Sequence, residues 1–238
     1  MSRILRYRPG RIVLVLGPLV LTSTALAHRP TFSDGSASDA NHALEVKDVD
    51  LSQVVYHEVT AQAQQLWLTF EAGEDQVLFV QIGVPVIERL ADYRPSVAIV
   101  GPGFPEVALP FEVPDGLGAR IIATDDVSSP RVFHEHFTDT RSWILKEEDI
   151  VLPATGRYYL VAYVPSNEVG KLWVSVGRRE EFGLADLLKF RDWTIRARRF
   201  HEEEVGLGLP RIPCLATSAM LAVGLGFLAR GLFVSRRR

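Results

Sequence analysis

Positions 155–163 read TGRYYLVAY, and positions 170–177 read GKLWVSVG. Both segments are dense in β-branched and aromatic residues, and each carries a glycine at or next to its first position, as strands that follow turns do. The two segments therefore predict a pair of β-strands near the C-terminal end of the folded domain.

Eight further segments upstream share this composition and are separated by Gly, Pro and Asp. No alternation of strands with helical segments accompanies them, so a parallel sheet is not favoured. The pattern predicts a mainly β fold, an antiparallel β-sandwich or jelly roll with two packed antiparallel sheets. The eight segments are 53–60, 65–70, 77–82, 96–100, 106–111, 120–123, 132–137 and 143–145.

The strand pair at 155–177 resembles the terminal strands of bacterial pre-peptidase C-terminal domains, in which a Gly-x-Tyr-Tyr strand packs against a last strand. Those domains are β-sandwiches and are mostly non-catalytic. The resemblance therefore implies a fold, and it implies little about activity.

The N-terminal residues 1–27 carry four arginines, then an apolar run from Ile12 to Leu21, then Ala25-Leu26-Ala27. This order is typical of a secretory signal peptide with a small-residue cleavage site. Cleavage after Ala27 would make His28 the first residue of the mature protein. An uncleaved signal anchor is the alternative, although the apolar run is short for a membrane span.

The C-terminal segment 212–234 is apolar except for Arg230 and precedes three arginines. Its 23 residues would span ~30 Å as a helix, which predicts one transmembrane helix. The positive-inside rule places the basic tail 235–238 in the cytoplasm and the rest of the chain outside, in the periplasm or the extracellular space. The ending also resembles the C-terminal sorting signals of bacteria, from which an enzyme would remove the helix.

Between these ends, residues 28–43 predict a polar, irregular arm and residues 44–180 the β-sandwich. Residues 181–204 predict a juxtamembrane helix, in which leucines and Trp193 mix with basic residues. Two alternatives remain open for it. It lies on the outer membrane surface, or it packs on the sandwich and exposes a basic face.

Composition excludes several classes of function. The net charge of −3 gives no basic surface for nucleic acid. The one cysteine, Cys214, lies in the apolar C-terminal segment, so a thiolate metal site in the ectodomain is excluded. The sequence has no Gly-x-Ser-x-Gly elbow, and no feature names a catalytic residue. An enzyme is not favoured.

The metal site that the sequence suggests would be formed by histidines. His134 and His136 alternate in a predicted strand, so both imidazoles would face the same side, about 7 Å apart at the backbone. His28, as a first residue, would offer its amine and its ring together. This set resembles the histidine brace of lytic polysaccharide monooxygenases and periplasmic copper proteins, and it suits copper. His57 is a weaker candidate ligand.

Two functions follow from these patterns. The first is an exported, membrane-anchored β-sandwich that binds an unidentified protein or ligand outside the cytoplasm. The alternative is an extracytoplasmic copper-binding protein in which His28 is the essential ligand.

Overall fold

The structure is a computed structural model that describes residues 29–181, 186 and 188–205. The predicted signal peptide, His28, the apolar segment 212–234 and the basic tail lie outside the described residues. Within the described part, no helix is long and apolar enough to cross a membrane.

The described residues form eleven strands, one turn of 3-10 helix and one α-helix. A 3-10 turn (Glu88–Leu90) follows β5, and α1 (Phe190–Phe200) follows the last strand. The strands are β1 (Arg29–Phe32), β2 (Leu44–Glu45), β3 (Gln53–Val59), β4 (Gln65–Ala72), β5 (Val77–Pro85), β6 (Ser96–Gly101), β7 (Gly118–Ile122), β8 (Arg131–Glu135), β9 (Thr140–Val151), β10 (Gly156–Tyr163) and β11 (Gly170–Val176).

These strands form two sheets, as predicted. The six-stranded sheet has the order β1-β3-β11-β5-β9-β8, and the five-stranded sheet has the order β2-β4-β10-β6-β7. Neighbours are antiparallel except at two edges, where β1 pairs with β3 and β2 pairs with β4 in parallel. The segments at 155–163 and 170–177 were predicted as a strand pair, but they lie in different sheets.

The main core lies between the two sheets, and the period of two along each strand creates it. In β10, Leu160 and Ala162 point into this core, whereas Tyr159 and Tyr163 point to the outer face. In β11, Leu172 is likewise buried in the core, while Trp173 lies on the outer face of the six-stranded sheet. Both sheets therefore carry apolar residues on two faces.

The outer face of the five-stranded sheet is covered by the segment 104–117 and by the arm. Residues 106–111 were predicted as a strand, and the structure shows an irregular segment there instead. Phe111 packs edge-on against Trp67 and Tyr163, with ring centroids 5.5 and 5.1 Å apart. The segment is apolar because it covers a sheet. It does not pair as a strand because its prolines lack the backbone N–H groups that strand pairing needs.

The N-terminal arm is more ordered than predicted. Residues 29–32 add a strand to the edge of the six-stranded sheet, and residues 44–45 add one to the other sheet. Trp67 donates its backbone amide to Ala37, which lies in the arm and is buried. The arm is thus part of the sandwich, and its strands are too short to give a sequence signal.

Helix α1 packs across the outer face of the six-stranded sheet. Phe190, Trp193, Ala197 and Phe200 recur at intervals of three and four, which places them on one helix face. Ala197 and Phe200 are buried there against Tyr56 and Trp173. Of the two sequence-based alternatives, the described residues show the helix packed on the sandwich.

Candidate functional site

A narrow cleft opens on the outer face of the six-stranded sheet, between β1, the β8–β9 hairpin and the central strands. Its interior volume is about 30 Å³, which is room for about two water molecules. The cleft can therefore receive one small group of a ligand. Its lining residues are Pro30, Val54, Tyr56, Gln81, Phe133, Glu135, Phe137, Thr138, Thr140, Ser142 and Trp173.

Glu135 is the ionisable side chain on the hairpin side of this cleft. It ends β8, and alternation along the strand sends it to the same face as Phe133. Burial raises the pKa of the Glu135 carboxyl to about 7, and the negative charge of Glu180 acts in the same direction. The backbone amide of Phe137 opposes this shift by donating to Oε1 over 3.0 Å. Near neutral pH the carboxyl can therefore either donate or accept a hydrogen bond.

Trp173, on β11, also lines the cleft. It is 4% exposed, and its indole Nε1–H has no acceptor among the described residues. The ring lies over Gly83, where a Cβ would come within 2.3 Å of its Cζ2 atom. A buried donor without an acceptor is costly in a folded protein, and such groups mark places where a ligand or water completes the hydrogen bond.

Hydroxyl groups complete the polar lining. Thr138 and Thr140 share a hydrogen bond between their Oγ1 atoms at 2.7 Å. Ser142 Oγ lies 2.9 Å from Nε2 of His201. Gln81 donates to the Glu147 carboxylate over 2.7 Å, so its amide is held in one orientation. The cleft thus combines aromatic walls with a few oriented polar groups, which is the usual composition of a binding site.

His201 fastens the end of α1 beside the cleft. Its Nδ1 lies 2.7 Å from the carbonyl of Ala197, which can only accept, so Nδ1 carries the proton and Nε2 accepts from Ser142. Burial is the main cause that lowers the pKa of His201 to about 4, and the charges of Lys171 and Arg198 contribute in the same direction. The imidazole is therefore neutral at physiological pH.

Glu202 holds the chain where it leaves the helix. Arg89 donates to both of its carboxylate oxygens, over 2.7 and 2.5 Å, and Lys171 Nζ lies 3.0 Å from Oε1. The hydrogen bonds from Arg89 and then Lys171 lower the pKa of Glu202 to about 2. Lys171 also donates to the carbonyl of Phe200 over 2.9 Å. The end of the helix is thus tied to two separate parts of the sandwich.

The predicted metal ligands His134 and His136 do come close to each other, with ring centroids 4.4 Å apart. His136 lies in the turn after β8 and not in a strand as predicted, because the hairpin reverses over residues 136–139. His134 Nε2 lies 2.9 Å from Oδ1 of Asp139. Both histidines are exposed. Among the described residues no group of three or more His, Cys, Asp or Glu has the geometry of a metal site.

His57 is separate from this pair. It lies on β3, which is four strands away from β8 in the sheet order. The side chain is buried in the sandwich, with Nε2 3.1 Å from the carbonyl of Ala63, and burial lowers its pKa. His28 lies outside the described residues. Arg29, which follows it, is in β1 at the edge of the sheet opposite to β8.

The sequence analysis missed Glu135 and Trp173 as site residues. A local signal for Glu135 was present, because alternation in positions 133–137 sets it on one face with two phenylalanines. Trp173 carried no such signal. Trp173 is far from Glu135 along the chain. Only the order of strands β11, β5, β9 and β8 in the sheet brings the two residues to one cleft.

Comparisons with known proteins give a limited result. No protein-family model matches the chain, and no curated protein matches it. A solved structure of the pre-peptidase C-terminal domain of a Bacillus anthracis collagenase is similar over 56% of this chain and 93% of that domain, with 9% identity and a TM-score of 0.29. This is a domain of the kind that residues 155–177 resemble.

A second similar structure is PliG from Aeromonas hydrophila, described as a periplasmic inhibitor of g-type lysozyme. It matches over 63% of this chain and 98% of its own length, with 13% identity and a TM-score of 0.32. The β-sandwich is established by its own strand pairing.

Proposed function

We propose that this chain is an exported, membrane-anchored β-sandwich that binds a partner outside the cytoplasm. The cleft receives a small hydrogen-bonding group of that partner. The supporting observation is the cleft itself, whose lining includes Trp173, with a buried indole N–H that has no acceptor among the described residues, and Glu135, with a pKa of about 7. Perturbed ionisable groups in a cleft are typical of functional sites. The order of signal peptide, domain and apolar segment supports export and anchoring.

The volume of the cleft restricts what binds there. About 30 Å³ admits a hydroxyl, an amide or a carbonyl at the end of a side chain, and it excludes a whole cofactor. Most of the contact must then come from the surface around the opening. A protein partner that projects one polar side chain fits this requirement.

Site-specific photocross-linking in cells tests this proposal. A photoreactive phenylalanine analogue at Phe133, which lines the cleft, should form an adduct with the partner. The same analogue at Val132 is the matched control, because this neighbour on β8 is 55% exposed and faces away from the cleft. Glu135→Gln and Trp173→Phe should each weaken the adduct at 133. Equal adducts at both positions, or none at 133, would contradict the proposal.

A second candidate function is copper binding. The observation in its favour is the pair of imidazoles at His134 and His136, 4.4 Å apart and next to the carboxylate of Asp139. The processed chain would have to bring the amine and ring of His28 to this pair. Calorimetry on the protein processed after Ala27 should then detect one Cu(II) site that His28→Ala removes. Binding that survives loss of both His28 and His134 would eliminate the brace.

A further inference from the structure

Helix α1 has a second face, opposite to the one that packs on the sheet. With a rotation of 100° per residue, Arg191, Ile195 and Arg199 lie about 180° from the buried face. Leu188, in the turn before the helix, lies three residues ahead of Arg191 and is the most exposed large apolar side chain among the described residues. We define these four residues as the outward stripe.

The outward stripe combines unpaired positive charge with apolar surface. Leu188 is 89% exposed, and Arg191 and Arg199 are exposed while Ile195 is half-buried. Neither arginine forms an ion pair with any residue that the structure describes. Other arginines on the helix are engaged. Arg196 lies over the ring of Phe32 at 4.4 Å, and Arg198 donates to the carbonyls of Thr138 and Asp139.

The stripe is also close, along the chain, to the predicted membrane segment. Only residues 206–211 separate the last described residue, Val205, from the apolar run that begins at 212. Six residues extend at most ~20 Å. The ion pairs of Glu202 with Arg89 and Lys171 fix the end of the helix to the sandwich. The helix and the sandwich are therefore held near the membrane segment together.

From this arrangement we infer that the outward stripe binds the surface of an anionic phospholipid membrane. This inference rests on the proposed membrane anchor. The two arginines contact lipid phosphates, and Leu188 and Ile195 enter the boundary between headgroups and acyl chains. The buried face of the same helix packs on the six-stranded sheet. Lipid binding by the stripe would therefore set the orientation of the domain, and of the cleft beside the helix, relative to the membrane.

The acidic residues after the helix do not lie on the stripe. Glu202 has a left-handed backbone, φ 58°, and the chain turns there before Glu203 and Glu204. Asp192 lies at the flank of the stripe, 4.0 Å from Arg196. Its position makes it a suitable place for a probe that leaves the four stripe residues intact.

Spin labelling of the full chain in vesicles tests the inference. Cys214→Ser removes the native thiol, and Asp192→Cys carries a nitroxide. Relaxation of the nitroxide by a nickel-chelating lipid headgroup reports its distance from the membrane surface. All vesicles contain the same fraction of the nickel-chelating lipid. We expect strong relaxation when the remaining lipid includes phosphatidylglycerol, and weak relaxation when it is phosphatidylcholine alone or in high salt, which screens exposed charges.

The decisive variant is Arg191→Gln with Arg199→Gln. Loss of two arginines near an anionic surface should lower the ratio of bound to released domain about 30-fold. The matched control removes two charges from the other side of the sandwich, Lys47→Gln with Arg157→Gln, and should leave the relaxation unchanged.

Carbonate extraction of the same vesicles tests the membrane anchor separately from the outward stripe. A chain that stays in the membrane but shows no lipid-dependent relaxation at 192, or responds equally to both double variants, overturns the stripe proposal and leaves the anchor intact. A chain that carbonate removes overturns both.

Discussion

At the scale of single residues, Glu135 and Trp173 carry the binding proposal. Each carries a polar group that lowers the stability of the free domain. Glu135 is half-buried with a raised pKa, and the Trp173 indole N–H has no acceptor among the described residues. Natural domains retain such unfavourable groups where they serve a function. Glu135→Gln should therefore raise the stability of the domain near and above pH 7, and both Glu135→Gln and Trp173→Phe should weaken binding.

The pH dependence of unfolding tests the environment of Glu135. Its folded pKa of about 7 exceeds the unfolded value of 4.5. Its contribution to stability is therefore fully present below pH ~4.5 and is lost as pH rises through 7. Glu135→Gln keeps an acceptor for the Phe137 amide and cannot ionise. In urea titrations of the full chain in detergent, the variant should gain about 3 kcal/mol over the native chain between pH 4.5 and 8. A constant difference between the two proteins would contradict the assigned burial.

For His201 the predicted pH dependence of stability has the opposite sign. Its folded pKa of about 4 lies below the unfolded value of 6.5. The native chain therefore loses stability as pH falls from 6.5 to 4, by up to about 3 kcal/mol. His201→Gln should remove this loss, so the variant gains stability on the native chain as the solution becomes more acidic. The same urea titrations measure it, and a variant that tracks the native chain at every pH would show that His201 is not buried.

At the scale of elements, the contact between β5 and β11 is the tightest around the cleft. A methyl group at Gly83 would meet the Trp173 ring at 2.3 Å and the carbonyl of Trp143 at 2.5 Å. Gly83→Ala should therefore destabilise the domain by roughly 2 kcal/mol or more and shift the Trp173 fluorescence. Gly73→Ala is the control, since nothing lies within 4 Å of its Cβ position. Equal effects of the two changes would contradict the packing described here.

The same elements show why some strands were predictable. Segments such as 65–70 and 171–176 were predicted because β-branched and aromatic residues recur there without a break. Segment 106–111 was predicted wrongly, since residues that cover the outer face of a sheet are as apolar as a strand. The edge strands 29–32 and 44–45 were missed because their pairing depends on distant residues of β3 and β4. The cleft was missed for the same reason.

At the scale of the whole molecule, the cleft and the outward stripe lie on the same side of the sandwich. The six-stranded sheet carries the cleft, α1 lies across that sheet, and the outward stripe is the face of α1 that points away from the sheet. The tie at Glu202 marks where the chain leaves this assembly, with nine residues between it and the predicted membrane segment. In this account the cleft and the stripe act from one rigid unit, and the anchor determines where that unit works.

Accessibility of introduced cysteines in intact cells tests the central claim, a sandwich held outside the cytoplasm by a C-terminal anchor. In the Cys214→Ser background, a cysteine at Glu74, exposed in the turn between β4 and β5, should react with a membrane-impermeant maleimide. A cysteine at Arg238 should react only after the membrane is opened. Labelling of position 238 in intact cells, with protection of position 74, would contradict the account.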